Sequence, residues 1–163
     1  MAYSTDVDAA REVATARHEG QTDKAGQPYI RHPERVAARL RSPEEQVVGW
    51  LHDTVEDTGY TLAQAEAQFG PETAAALDAV SRRPLEEWNQ YLIRVKEHPV
   101  AKLVKISDLI DNSNLSRLNA VTLKDVERQA KYNRALRFLM TENAAEVIVE
   151  KERQHGKEPP PPR

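Results

Sequence analysis

The chain has 163 residues, of which 39% are hydrophobic and 30% charged, a composition typical of one globular domain and unlike that of a disordered chain. A formal net charge of −3 disfavours a nucleic-acid-binding protein that depends on bulk positive charge. No apolar run approaches the roughly 20 residues of a membrane-spanning helix, so we expect neither a nucleic acid nor a membrane as partner.

The sequence predicts an all-α fold, because Ala, Glu, Arg, Leu and Gln dominate and no sustained apolar/polar alternation is present. The first helix is predicted over about 6–17, with Gly20 beyond its end. A short helix is predicted to begin near Pro33, after a polar segment. Residues 42–45 (Ser-Pro-Glu-Glu) form a capping-box pattern and open a helix that is predicted to stop near Gly59.

Residues 61–64 (Thr-Leu-Ala-Gln) form a second capping-box pattern, which opens a short helix closed by Gly70. Proline marks the further helix starts that we predict: Pro71, Pro84 and Pro99. The helix that begins at Pro99 is the most apolar of the chain, and we expect it to be central. Two last helices, over about 122–140 and 142–154, complete the predicted bundle.

We predict one domain over residues 1–155 and a disordered, proline-rich tail over 156–163. The first residues contain neither the basic start nor the apolar stretch of a signal peptide, so the cytoplasm is the expected compartment. Cysteine is absent, which excludes disulfides, zinc–thiolate sites and cysteine nucleophiles. The sequence does not indicate an oligomeric state.

Four ionisable side chains crowd one short segment: His52, Asp53, Glu56 and Asp57. On a continuous helix, Glu56 would lie one turn from His52 and Asp53, and Asp57 one turn from Asp53. Carboxylates this close repel one another unless a cation or a shared proton relieves them. A bound divalent ion would do so directly.

Two further polar residues belong with this segment. Asp108 interrupts the apolar helix, with Asn112 one turn later, and a buried carboxylate must be paired or bound to metal. His32 stands just before the predicted helix start at Pro33. Two imidazoles together with carboxylates suit a transition metal such as Mn, Fe, Co or Zn. Taken singly, each residue has a structural alternative: Asp108 would pair with Lys105 or an arginine, and His32 would bond to a backbone carbonyl.

Four segments, 18–21, 28–33, 51–58 and 102–108, resemble the hydrolase domain of the RelA/SpoT family within the HD superfamily of metal-dependent phosphohydrolases. The small stand-alone alarmone hydrolases, including the metazoan SpoT homologues, have the most similar shape. The resemblance covers roughly residues 8–140. It implies an HD-domain helical bundle that hydrolyses (p)ppGpp at the ribose 3′ position, releasing pyrophosphate and leaving GDP or GTP.

The resemblance also implies roles for individual residues. It implies one metal ion, usually manganese in this family, bound by His32, His52, Asp53 and Asp108. It further implies that Glu56 and Asp57 orient and deprotonate the attacking water. The substrate contacts that it implies are Lys24, Asn112, Arg128 and Tyr132.

One departure from the family pattern bears on the substrate. The family usually has an Arg-Lys pair after the His-x-Gly-Gln segment, whereas this chain has Asp23 followed by Lys24. A negative charge there should weaken the binding of a highly phosphorylated ligand. Arg82 and Arg83 are candidates for replacement charge, and a solvated helix end is the alternative interpretation of that pair.

Two other functions stay open on the sequence. One is hydrolysis of another nucleotide or phosphoester by the same fold and metal, which Asp23 keeps in view. The other is a non-catalytic nucleotide-sensing module. Glu56 and Asp57 argue against a sensor, since a sensor needs no proton-transfer pair.

Overall fold

The computed structural model describes residues 3–141, and within them the chain forms nine helices and no β-strand, which confirms the predicted all-α class. In chain order these are α1 (Tyr3–Arg17), α2 (Arg31–Ala38), α3 (Pro43–Leu51), α4 (Thr54–Asp57), α5 (Leu62–Phe69), α6 (Pro71–Val80), α7 (Trp88–Glu97), α8 (Pro99–Asn112) and α9 (Leu123–Met140). The predicted helix over 142–154 and the predicted tail over 156–163 lie outside the described residues. None of these nine helices has the length and apolarity needed to cross a membrane.

Helix α8 is the centre of the bundle, as its apolar sequence predicts. It packs against α2, α3, α6, α7 and α9, and it buries Ala101, Val104 and Leu109 completely. Helices α2 and α3 also pack against each other, and α1 covers α3. Side chains that point inward from α2, α3 and α8 therefore share one interior.

Capping boxes fix the start of three helices. Both predicted boxes, Ser42–Glu45 and Thr61–Gln64, are confirmed, with the backbone amide and the side chain of each pair bonded reciprocally. A third box, Thr122–Asp125, opens α9 in the same way. Each box satisfies two amides that the first turn of a helix leaves without a partner.

The single helix predicted across residues 52–57 is wrong, because the chain breaks between α3 and α4 at His52 and Asp53. His52 Nδ1 bonds to the carbonyl oxygen of Gly49 at 2.7 Å, and Thr54 Oγ1 donates to the carbonyl oxygen of Leu51, also at 2.7 Å. These carbonyls would otherwise accept backbone amides of a continuing helix. For one turn, hydrogen bonds from these two side chains therefore take the place of the backbone hydrogen bonds of a helix.

The helix start predicted at Pro84 is also wrong, since α7 begins at Trp88. Leu85 follows the proline with φ of 62°, a left-handed conformation that a right-handed helix does not accept. The segment between α6 and α7 is therefore a loop.

Arg94 of α7 holds this loop in place. Its guanidinium donates to both carboxylate oxygens of Glu86 at 2.8 Å, and to the carbonyl oxygens of Asp78 at 2.6 Å and Ser81 at 2.7 Å. The bonds from Arg94 lower the pKa of Glu86 to about 2. One guanidinium thus fixes both ends of the loop.

We expect Gly49→Ala to destabilise the fold by about 1–3 kcal/mol, because a Cβ there overpacks the contact between α2 and α3. That Cβ would lie 2.7 Å from Leu40 Cδ1 and 3.1 Å from Ala37 Cα. The clash opposes the roughly 1 kcal/mol that alanine gains over glycine inside a helix. Thermal unfolding measures the change, and Gly59→Ala is the matched control, since a Cβ at Gly59 has nothing within 4 Å. Equal midpoints for the two variants would contradict the close approach.

We expect the Glu86–Arg94 pair to stabilise the protein above pH 4 and to lose this effect as the pH falls toward 2. The pKa of Glu86 is lower in the folded chain, about 2, than the roughly 4.3 of an unfolded chain, so protonation favours unfolding. Glu86→Gln should therefore lower stability near pH 6 by about 1 kcal/mol and leave it nearly unchanged near pH 2. Denaturant titrations across this range test the difference, and parallel curves for variant and parent would refute it.

Candidate metal centre

The four predicted metal ligands meet where α2, α3 and α8 come together. His32 lies in the first turn of α2, His52 and Asp53 occupy the break after α3, and Asp108 lies in α8. His32, His52 and Asp108 are buried, and the side chain of Asp53 is 19% exposed. The sequence separates them by up to 76 positions, and the packing of the three helices brings them into contact.

The polar atoms of these side chains face one another at short range. His32 Nε2 lies 3.3 Å from His52 Nε2, 3.5 Å from Asp53 Oδ2 and 3.1 Å from Asp108 Oδ1. His52 Nε2 lies 3.1 Å from Asp53 Oδ2 and 3.7 Å from Asp108 Oδ1. Ligand atoms bound about 2.0–2.2 Å from one metal ion are themselves about 3.0–3.5 Å apart, so the spacing of His32, His52 and Asp53 fits a shared cation. Asp108 Oδ1 lies within that range of His32 but not of His52.

The hydrogen bonds on the far side of each imidazole assign its tautomer. His52 Nδ1 donates to the Gly49 carbonyl oxygen at 2.7 Å, and His32 Nδ1 donates to Asp111 Oδ2 at 2.8 Å. In the neutral form of each ring, Nε2 then carries a lone pair that points at the other imidazole and at the carboxylates. A set of facing electron-pair donors needs positive charge between them, and this is the donor set of a divalent-metal site.

The electrostatics agree with this assignment. Burial alone would lower the pKa of His52, but the carboxylates of Asp53 and Asp108 outweigh burial and raise the pKa well above its ordinary value. Burial also opposes the charge on Asp53, yet His52 holds its pKa below the usual range. The cluster therefore attracts positive charge.

Asp111 is a residue of the candidate site that the sequence analysis missed. Its carboxylate is 1% exposed and accepts from His32 Nδ1 at 2.8 Å, from Arg35 Nε at 2.8 Å and from Arg39 at 3.1 Å. A carboxylate behind a ligating histidine fixes the ring orientation and makes the imidazole a better ligand. The available signal was a second acidic residue, three positions after Asp108, in the most apolar helix.

Three more side chains position the candidate ligands. Tyr29 donates its hydroxyl to Asp53 Oδ2 at 2.5 Å. Asp108 is held from both sides, by Lys105 Nζ at 2.8 Å on Oδ2 and by Asn112 Nδ2 at 2.7 Å on Oδ1. The pairing of Asp108 with Lys105 that the sequence left open is thus present, and Oδ1 still faces the histidines.

Glu56 and Asp57 lie on α4, directly after the ligand-bearing turn. Glu56 Oε1 accepts the backbone amide of Arg82 at 2.5 Å, and Glu56 lines a small cavity with Asp53 and Asp108. Partial removal from solvent raises the pKa of Glu56, and the charge of Asp53 adds to this. Burial and Asp53 likewise raise the pKa of Asp57. Raised carboxyl pKa values suit proton transfer near neutral pH.

Two cavities adjoin the metal centre. The larger, of about 360 Å³, reaches His32 and is lined by all four residues that the resemblance implies for substrate contact: Lys24, Asn112, Arg128 and Tyr132. The smaller, of about 210 Å³, reaches Asp53 and Asp108. Tyr29, Asn112 and Tyr132 line both cavities, so the two spaces meet beside the metal ligands.

The structure shows where the residues that bear on phosphate binding lie, namely Asp23, Arg82 and Arg83. Asp23 lines the larger cavity, but its Oδ1 accepts the backbone amides of Ala25 and Gln27, each at 2.9 Å. Arg82 lines the smaller cavity. Arg83 instead pairs with Asp78 at 2.8 Å. Only the first arginine of the Arg82–Arg83 pair thus adds charge beside the metal ligands.

Comparison with known proteins shows the family to which the chain belongs. The profile of the HD domain family matches residues 10–101 of the chain, which is more than half of its length. This range contains His32, His52 and Asp53, while Asp108 lies just beyond it.

Two curated relatives illustrate the sequence similarity. A guanosine-3′,5′-bis(diphosphate) 3′-pyrophosphohydrolase of Aquifex aeolicus is 30% identical over 122 residues, covering 68% of this chain and 18% of the relative. A probable GTP pyrophosphokinase of Mycobacterium leprae is 33% identical over 124 residues, covering 68% of this chain and 16% of the relative. The chain thus spans less than a fifth of the length of these relatives, whose names describe the whole proteins.

A solved structure matches along nearly the whole length of both chains. It is described as a metazoan orthologue of SpoT that hydrolyses ppGpp, and it aligns with a TM-score of 0.72 at 22% identity, covering 93% of this chain and 96% of that chain. At this identity, the match shows a common fold.

We expect Asp111→Asn to weaken Mn²⁺ binding by about tenfold to a hundredfold, because the neutral amide no longer holds His32 Nδ1 and the adjoining arginines as the carboxylate does. Isothermal titration calorimetry of the metal-free protein measures the affinity. Asp8→Asn is the control, since Asp8 forms an exposed pair with Arg11 at 3.3 Å. Unchanged Mn²⁺ affinity in Asp111→Asn would show that this carboxylate does not support the site.

Proposed function

The chain belongs to the HD domain family, and we propose that it is a metal-dependent phosphohydrolase that removes pyrophosphate from the 3′ position of (p)ppGpp. The observation that carries the proposal is the meeting of two imidazoles and two carboxylates, with Glu56 beside them, at the junction of two cavities. The names of the Aquifex relative and of the SpoT orthologue, both tied to ppGpp hydrolysis, support the choice of substrate.

We assign the metal site to His32, His52, Asp53 and Asp108, and manganese is the ion we expect from the family resemblance. A divalent ion held there would supply a Lewis acid that acidifies water and polarises a phosphoryl oxygen. Asp111 and the Gly49 carbonyl oxygen orient the two imidazoles. The protein itself therefore contributes ligand geometry and a partly buried environment in which these charges act strongly.

Proton transfer falls to the α4 carboxylates. Glu56 lies in the smaller cavity beside Asp53 and Asp108, and its raised pKa keeps it able to exchange a proton near neutral pH. In this proposal Glu56 takes the proton of the attacking water, and Asp57 orients that water or assists the transfer. The water oxygen bonds to the phosphorus atom next to the ribose, and the bond from that phosphorus to the ribose 3′ oxygen breaks. The 3′ oxygen takes a proton from Glu56 or from solvent to become the hydroxyl of GDP or GTP, and pyrophosphate leaves.

The larger cavity is the proposed place of the nucleotide. Its walls include the aromatic ring of Tyr132 and the positive charges of Lys24 and Arg128. On the side of the candidate metal ligands, the cavity is bounded by Asn112 and His32. Arg128 is bonded to Asp125, so a phosphate would compete with that carboxylate for its guanidinium.

We expect pyrophosphate release from ppGpp when the protein is stripped of metal and reloaded with Mn²⁺, and none when a chelator is present. His52→Ala should abolish release by removing a ligand. Glu56→Gln should lower kcat by about a hundredfold while Mn²⁺ affinity stays the same. Glu66→Gln, an exposed change on α5, is the control for Glu56→Gln. Full release by His52→Ala would contradict the assignment of the site.

A second substrate class is favoured by one observation, the carboxylate of Asp23 on the wall of the larger cavity. Its two bonds from backbone amides offset part of its charge but do not remove it. If the Mn²⁺-loaded, folded protein released no pyrophosphate from ppGpp, the same metal chemistry would act on a less phosphorylated nucleotide or phosphoester. A substrate panel, tested on the parent and on Asp23→Asn, would identify it.

A further inference from the structure

Three cationic side chains surround the ring of Trp88, at the start of α7. Lys131 Nζ lies 4.2 Å from the ring centroid, Lys105 Nζ 5.6 Å, and Arg82 Cζ 5.9 Å. Cations are attracted to the face of an indole, but like charges gathered around one ring also repel one another. The arrangement therefore favours the binding of an anion.

Only one of the three cations is paired with a carboxylate among the described residues. Lys105 forms its ion pair with Asp108 at 2.8 Å. Arg82 Nε donates to a neutral partner, the carbonyl oxygen of Glu86, at 2.8 Å, and within residues 3–141 Lys131 has no carboxylate within ion-pair distance. Burial together with the charges of Arg82 and Lys105 lowers the pKa of Lys131, as expected where positive charge is in excess.

This group of cations stands next to the candidate metal centre. Arg82, Trp88 and Lys105 line the smaller cavity, whose other walls include the ligands Asp53 and Asp108. Lys131 of α9 does not line this cavity; it lines an adjoining cavity of about 350 Å³, and Trp88 forms a wall of both. An anion that extends from the candidate metal ligands along Trp88 thus meets Arg82 in the smaller cavity and Lys131 in the adjoining one.

We propose that Arg82 and Lys131, held around Trp88, bind the distal phosphate of a diphosphate ester whose proximal phosphate lies at the metal ligands. The inference rests on the proposed function and deepens it, because it assigns a specificity for diphosphate over monophosphate esters. A diphosphate reaches the two unpaired cations, and a monophosphate does not. The ring of Trp88 restrains both side chains, so less conformational entropy is lost when they bind a phosphate.

The first test is direct binding of inorganic pyrophosphate and of inorganic phosphate to the Mn²⁺-loaded protein, measured by calorimetry. Lys131→Gln and Arg82→Gln should each weaken pyrophosphate binding about tenfold, as expected for loss of one charge-assisted contact. Both variants should leave phosphate binding unchanged. Lys131→Arg should retain most of the affinity, and Lys124→Gln, an exposed change on the same helix, should retain all of it.

Two outcomes of that test would overturn the subsite. One is pyrophosphate affinity that Lys131→Gln and Arg82→Gln leave unchanged. The other is an equal loss for phosphate and pyrophosphate, which would indicate a general effect on the charge of the cavity. Lys131 and Arg82 are exposed, so both variants should fold, and thermal unfolding checks this.

The second test separates this inference from the proposed function. Lys131→Gln should raise the KM for ppGpp about tenfold with little change in kcat, and should not alter the KM for guanosine 5′-diphosphate 3′-monophosphate. If the parent protein turned over neither compound, the proposed function would fail, while selective pyrophosphate binding would still support the subsite. Turnover of ppGpp with an unchanged KM in Lys131→Gln would retain the function and overturn the subsite.

Discussion

The structure depends on a cluster of electron-pair donors inside a helical bundle. The Nε2 atoms of His32 and His52 lie 3.3 Å apart. One carboxylate oxygen of Asp53 and one of Asp108 lie beside them. The contacts of α2, α3 and α8 that form the apolar core are also what hold these atoms together. The interior can therefore be both closely packed and electrostatically stable only when positive charge, from protonated imidazoles or from a bound cation, is shared among the donors. A metal ion bound there would stabilise the folded chain.

Much of the fold could be predicted because its signals are local. Capping boxes, prolines at helix starts and Gly70 act within a few residues, and the apolar sequence of α8 places it at the centre. The two errors arose where tertiary or side-chain contacts override these signals. At the first, the side chain of His52 occupies a backbone carbonyl oxygen that a continuing helix would use. At the second, the loop that contains Leu85 is held by Arg94, nine positions further along the chain.

The candidate ligands could be predicted because polar residues interrupt apolar patterns and match the sequence of a known family. The pairing of Lys105 with Asp108 was also offered by the sequence, since the two lie one turn apart. The support that Asp111 gives to His32 could not be predicted, because a charged residue on a helix looks the same in sequence whether it faces water or another charge. The bond between Arg35 and Asp111 spans 76 positions, and no local pattern indicates it. The role of Asp23 was hidden for a similar reason, because its bonds to backbone amides depend on the shape of the loop.

The network around Asp111 has a consequence for how the larger cavity and the metal ligands communicate. Arg35 and Arg117 line that cavity while they also hold Asp111, which in turn orients His32. An anion that drew either guanidinium toward the cavity would loosen the support of His32, a candidate metal ligand. By thermodynamic reciprocity, an ion bound at the candidate metal centre would then change the affinity for that anion by the same factor. Through these arginines, occupancy of one site would alter the affinity of the other.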